Sequence, residues 1–163
     1  MSKNKIETVS NTVSAVVIEN KTLGTFRALI DTEDLPLVVH MRWNISGQGY
    51  AISDHKRKKV LLHRVVMGDP LECLDHINRD RLDNRKENLR EATPSQNTAN
   101  SKIRPSRSGF KGVRKVGKKY EAKINFKGKT TRLGMHPTAE DAARAYNEAC
   151  RKIHGEFGVL NNV

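Results

Sequence analysis

Asp75 and His76 stand side by side at the head of a turn-rich, basic run, DHINRDRLDNRKENLREATPSQNTANS, from Asp75 to Ser101. A carboxylate beside an imidazole can hold a hard cation and move a proton. Such a cation needs oxygen ligands: one carboxylate plus an amide oxygen, with water and phosphate completing the shell. The neighbouring imidazole can take the proton of an attacking water. Asn97 offers the amide from the first turn of a helix, and Asn100 lies one turn further along the same side. This grouping suits the hydrolysis of a phosphodiester bond.

Short elements must bring these residues together. Leu71 to Ile77 alternates weakly and suits a strand ending in Asp75-His76. Asn78 to Arg85 is rich in turn formers, and Glu87-Asn88-Leu89-Arg90 reads as the return strand. Thr93-Pro94-Ser95-Gln96 has the form of a capping box with proline at the first helical position, so a helix runs from there through Asn100 and ends near Pro105. Strand, turn, strand and helix would place Asp75, His76 and Asn97 near one point. Taken singly, an Asp-His before a polar turn, or an Asn before Leu, is more often a solvated turn or cap residue. Taken jointly, the spacing argues for a site. A calcium loop on Asn78, Asp80 and Asp83 is disfavoured, because the glycine at the sharp turn and the closing bidentate Glu are both missing.

At these residues the segment resembles the HNH nucleases, a two-stranded ribbon and a helix clasped around one metal ion. It is most similar to the phage and intron-encoded homing branch, in which Asn replaces the last His. LHRVVMGDP and DHINRDRLDNRKENLR are phrases of that branch. The resemblance implies that His76 is the general base and that Asn88, twelve residues on, braces the loop and orients it. It implies that Asp75 and Asn97 ligate a single Mg²⁺ or Mn²⁺ ion. His63 and Arg64, within the same phrase, are accessory candidates, with structural support and substrate contact both open for His63. A phage-encoded protein acting in the cytoplasm of a bacterial host is further implied.

The whole chain has 163 residues and a formal charge of +12, which favours a polyanionic partner. The charge is uneven. Residues 1–100 carry 15 Lys and Arg against 13 Asp and Glu, net +2; residues 101–163 carry 15 against 5, net +10. Cys73 and Cys150 lie too far apart for a disulfide framework or a Cys-x-x-Cys zinc site. MSKNKIETVSNTVS has no apolar run of a secretion signal, and no segment is long enough to span a membrane, so a soluble intracellular protein is expected.

Four segments are expected. Residues 1–21 form a polar tail or, through Ala15-Val16-Val17-Ile18, an edge strand. Residues 22–102 form the nuclease domain, with the ββα core at about 71–102. A strand is expected over Thr22–Ile30, a helix or extended run over Leu35–Met41, and a hairpin from Trp43-Asn44-Ile45 to Tyr50-Ala51-Ile52 with Trp43 in the core. A basic turn follows over His55–Lys59, and a helix starts near Leu61. Residues 103–108 form a basic linker, and 109–163 a second domain.

In that second domain short strands are expected at Lys111–Val116, Lys119–Phe126 and Lys129–Met135. Tyr120, Ala122, Ile124 and Phe126 fall on one face of the middle strand; Lys119, Glu121, Lys123 and Asn125 fall on the other. Thr138 caps a helix with the apolar stripe Ala142, Ala145, Tyr146, Ala149, Cys150 and Ile153, ending near Gly155. The fold class is therefore α+β: an HNH ββα-metal module followed by a three-stranded antiparallel sheet packed on one helix. The open, basic sheet face has the character of a major-groove reader.

FKGVRKVGKKYEAKI and TTRLGMHPTAEDAARAYNEACRKIHGEFGVLN resemble the plant ethylene-response-factor (APETALA-type) DNA-binding domain, over about Ser108 to Asn162. The resemblance implies DNA contacts from Lys111, Arg114, Lys123, Asn125, Thr130 and Arg132. Arg132 stands where that family often has Trp, and Lys123 where it has Glu, so the binding mode carries over and the recognised sequence does not. The combined expectation is an HNH homing-type endonuclease that nicks double-stranded DNA as a monomer, with dimerisation the alternative, and that needs no small-molecule cofactor and no membrane. The rival readings are a DNA-binding transcriptional regulator with an inactive nuclease fold, and an RNA-binding accessory protein resting on charge alone.

Overall fold

The computed structural model describes residues 4–55, 58–101 and 108–163. The chain folds as two compact units, Met1–Glu91 and Ala92–Val163. The division falls between Glu91 and Ala92, ahead of the basic stretch 103–108, of which 103–107 lie outside the described residues.

The first unit opens with an antiparallel sheet of β1 (Lys5–Thr8), β2 (Val13–Asn20) and β3 (Gly24–Asp31), with β2 in the centre. The N-terminal segment thus supplies an edge strand, but at Lys5–Thr8, while Ala15-Val16-Val17-Ile18 lies in the central strand. Every side chain from Ser14 to Ile18 is buried, so this central strand shows a continuous apolar run and lacks the alternation that marks a half-exposed one. A 3-10 turn at Thr32–Asp34 leads into α1 (Leu35–Val38). A second sheet follows: β4 (Trp43–Ile45), β5 (Ala51–His55) and β6 (Lys58–Leu61). The turn expected over His55–Lys59 is narrower, because strands reach His55 and Lys58; residues 56–57 lie outside the described ones. The helix expected near Leu61 starts one residue later as α2 (Leu62–Val66).

Trp43 joins the parts of this unit. Its ring is buried and its Nε1 donates to Val38 O at 3.0 Å. Asn4 ties the two sheets: its Nδ2 donates to Val17 O at 2.9 Å and Trp43 O at 3.0 Å, while Trp43 N donates to Asn4 Oδ1 at 2.7 Å. The indole belongs to one buried core with Val16, Ile18, Ile30, Val38 and Leu62, together with Leu89 of the ribbon described next. That ribbon pairs β7 (Cys73–His76) with β8 (Leu89–Ala92). The core thus reaches the strands that carry Asp75 and His76.

The second unit begins with α3 (Pro94–Ala99) and continues with β9 (Val113–Val116), β10 (Lys119–Phe126), β11 (Lys129–His136) and α4 (Ala139–His154). The three strands form an antiparallel sheet with β10 central, and α4 packs against all of them. Gly112 sits at φ +73°, and a Cβ there would lie 2.1 Å from the Tyr146 ring, so only glycine lets β9 approach α4. The buried face of α4 includes the expected stripe and extends beyond it to Ala143, Asn147 and His154. The C-terminal tail covers Asn147: Asn147 and Asn161 exchange side-chain to backbone bonds at 2.9 and 2.7 Å. No helix is long and apolar enough to cross a membrane among the described residues.

Candidate active site

β7 delivers Asp75 and His76 in sequence, and both side chains are buried. The chain then turns through residues 77–88, a segment without regular pairing whose polar groups need partners. Asn88 supplies two: its Oδ1 accepts from Asn78 N at 2.9 Å and its Nδ2 donates to Asp83 O at 2.7 Å. Asp83, itself buried, receives Asn78 Nδ2 at 2.8 Å and a two-point clasp from Arg85, Nε and Nη2 each at 2.7 Å. The Arg85 guanidinium holds the Asp83 carboxyl below the usual carboxylate range. These oxygens are committed to the loop itself.

The N-terminal sheet holds the same loop from outside. Leu29 N donates to Leu82 O at 2.7 Å, and Asn84 N donates to Leu29 O at 2.8 Å. Asn84 thereby arrives at the His76 ring. Its Nδ2 donates to Leu82 O at 3.0 Å, so its Oδ1 faces His76 Nε2, at 3.4 Å. An acceptor at Nε2 favours the tautomer that carries the ring proton there. Burial lowers the His76 pKa, opposed by the Asn84 bond and the neighbouring carboxylates of Asp75, Asp80 and Asp83. A neutral imidazole near neutral pH is the form a base requires.

Asn84 went unread in the sequence, where DNR gives only a turn signal. The amide against the imidazole belongs to Asn84, while the Asn88 side chain bonds the loop backbone. Other partners were equally illegible. His63 on α2 is buried with its ring 5.0 Å from that of His76, nearly perpendicular, and Tyr50 lies 5.5 Å from His63 and 6.0 Å from His76. Arg81 stacks over Tyr50 at 4.8 Å and donates to Gln48 O. Burial, helped by the charges of His76 and Arg64, pushes the His63 pKa down to about 4. Arg64 does other work: it pairs with Asp69 at 2.5 Å and donates to Glu72 O and Pro70 O, fastening the turn ahead of β7.

Asp75 Oδ2 accepts from Arg90 of β8, Nε at 3.0 Å and Nη2 at 2.9 Å. Asn97 is exposed on α3, within the second unit. The helix start follows the sequence closely. Thr93 Oγ1 accepts from Gln96 N at 3.3 Å, and Gln96 Oε1 accepts from Thr93 N at 2.8 Å. The helix is shorter than expected, closing at Ala99.

Of the six residues expected to touch DNA, five share the open face of the second unit's sheet. Lys123 pairs across with Arg132 and Asn125 with Thr130, and Arg114 of β9 stands opposite Glu121. Lys111 is the exception. Its Nζ donates to Ala99 O at 2.6 Å and Ser101 O at 2.9 Å, so the ammonium closes the C-terminal end of α3.

Residues 72–99 match the HNH endonuclease family. An uncharacterised HNH endonuclease of Acanthamoeba polyphaga mimivirus is 34% identical over 148 residues, covering 86% of this chain and 76% of that protein. The chain belongs to the HNH endonuclease family. No solved structure matches it. HNH nucleases generally use a divalent metal ion. Among the described residues no cluster of three His, Cys, Asp or Glu side chains could hold one. The Asp75 carboxylate is an oxygen donor of the kind a hard divalent cation takes, with water and substrate phosphate completing its shell. The HNH match ends at residue 99, so the sheet beyond it is read from its own side chains.

Proposed function

We propose that this chain is a metal-dependent DNA endonuclease of the homing type that nicks double-stranded DNA at a site located by its C-terminal, ERF-type module. The observation carrying the reading is His76: a buried imidazole at the end of β7, hydrogen-bonded through Nε2 to Asn84 and adjacent to Asp75. His76 takes the proton of the attacking water. Asn84 fixes the tautomer, and Asn88 keeps the loop closed behind it. Asp75 and Asn97 would hold one Mg²⁺ or Mn²⁺ ion, which when bound polarises the scissile phosphate and stabilises the leaving oxygen. Arg114, Lys123, Asn125, Thr130 and Arg132 grip the duplex through the open sheet face. One site per chain favours cutting a single strand by a monomer.

A second reading draws on the Arg90 ion pair, which engages the Asp75 carboxylate. It makes the protein a DNA-binding regulator on an inactive nuclease fold. Supercoiled plasmids carrying random genomic fragments, incubated with Mg²⁺, with Mn²⁺ and with EDTA, separate the two. Metal-dependent nicking that disappears in His76→Ala supports the nuclease. Tight duplex binding with no nicking under either metal would replace it with the regulator.

A further inference from the structure

Glu121 is an acid placed where a phosphate-binding face should have none. It lies on the open face of β10, in a segment of net charge +10. Opposite it on β9 is Arg114; on the other side Arg132 of β11, paired with Lys123, reaches back along the diagonal. Glu121 Oε2 accepts from Arg114 Nε at 2.6 Å, and Glu121 Oε1 forms an ion pair with Arg132 Nε at 3.3 Å. The carboxylate is sunk and the cations are not: the Glu121 side chain is 8% exposed, Arg114 55% and Arg132 79%.

Both contacts run through Nε. The Nη nitrogens of Arg114 and Arg132 have no partner among the described residues, and this is the edge that pairs with guanine O6 and N7 in the major groove. A negative charge on this surface weakens attraction to every phosphate alike, so its contribution must lie elsewhere. Ordering two long side chains before binding is such a contribution, because each loses rotamer freedom on contact.

We infer that Glu121 is a positioning residue for sequence recognition, holding Arg114 and Arg132 as two fixed forks that read a pair of guanines in the major groove. One carboxylate serves both guanidinium groups, so the guanines lie within roughly two base steps of each other, at about 3.4 Å per step. The inference rests on the proposed DNA-binding role of this sheet.

The test selects binding sites from a random duplex pool with the full-length chain in EDTA, for the wild type and for Glu121→Gln. The wild type is expected to enrich two guanines within two steps. Glu121→Gln is expected to lose that enrichment by roughly tenfold or more at each position, while its affinity for unselected duplex stays level or rises. A Glu121 that only relieves repulsion among Arg114, Lys123 and Arg132 would give a lower Tm and a parallel change on every duplex, which overturns the inference. Unchanged guanine enrichment in Glu121→Gln overturns it too. Arg114→Lys keeps the charge without the fork and should lose one guanine alone; loss of neither refutes the assignment. A wild type that binds and selects sites without guanine sinks this inference only. A wild type without duplex affinity sinks the DNA-binding reading and this inference together.

Discussion

At the end of β7 the polar side chains are sunk, with Asp75, His76, Asn84 and Asn88 all at or below 6% exposure, whereas Arg114 and Arg132 stand out from their sheet into solvent. Buried polar groups are costly unless every one finds a partner, so the first cluster is fixed by a closed set of short bonds to the loop and to β3. Exposed guanidinium groups cost little to leave in water but carry rotamer freedom, and one sunken carboxylate restrains both. The first device fixes an imidazole in one orientation; the second leaves guanidinium edges in solvent. Substitutions in the first cluster should therefore move chemistry and stability, and those on the second should move binding.

The largest separation is expected from His76→Ala. Single-turnover nicking should fall by on the order of 10²–10⁴-fold, with duplex affinity in a filter assay unchanged. Affinity falling in step would erase the division between the clusters.

Next comes acid sensitivity. His63 is held neutral in the folded chain, with its pKa lowered from 6.5 to about 4, so the unfolded chain binds more protons between those values. Its effect on stability is fully favourable above pH 6.5 and is lost progressively as pH falls to about 4, amounting to about 3 kcal/mol. Urea unfolding of the wild type and of His63→Asn at pH 7 and pH 4.5 should show a steeper acid loss for the wild type. Equal slopes would remove His63 as the cause.

Asn88→Ala leaves Asn78 N and Asp83 O without their partner and should lower unfolding free energy by about 1–3 kcal/mol, read as a shifted urea midpoint. An unshifted midpoint would mean that the loop holds itself. Lys123→Ala should leave the midpoint alone, weaken duplex binding a few-fold and reduce the salt slope of log K by about 0.9. A slope that does not change would take Lys123 off the phosphate backbone.

Legibility in the sequence followed the range of the interactions. Thr93 and Gln96 cap each other across three residues, so the start of α3 could be read directly. The strands of the second unit showed period-two alternation because one face meets α4 and the other water. Asp75, His76 and Asn88 could be found by their spacing. Asn84 could not: it meets the His76 ring only because Leu29, far away in sequence, bonds the loop on both sides of it. The N-terminal strands were hidden for a related reason, since a strand buried at successive positions shows no face. The bonds of Lys111 to Ala99 O and Ser101 O were hidden, because the resemblance that offered it a DNA contact covers nothing before Ser108.

That lysine bears on how such proteins can be recombined. The HNH match closes on α3, yet α3 is finished by the downstream unit: Lys111 caps its last carbonyls, Lys127 N donates to Ser95 Oγ at 3.1 Å, and Phe157 packs with Ala99. A chimaera crossed over after Ser101 would carry the helix without its supports. One crossed over ahead of Thr93 would carry helix and supports together, so the end of the HNH match would be inherited with the C-terminal sheet.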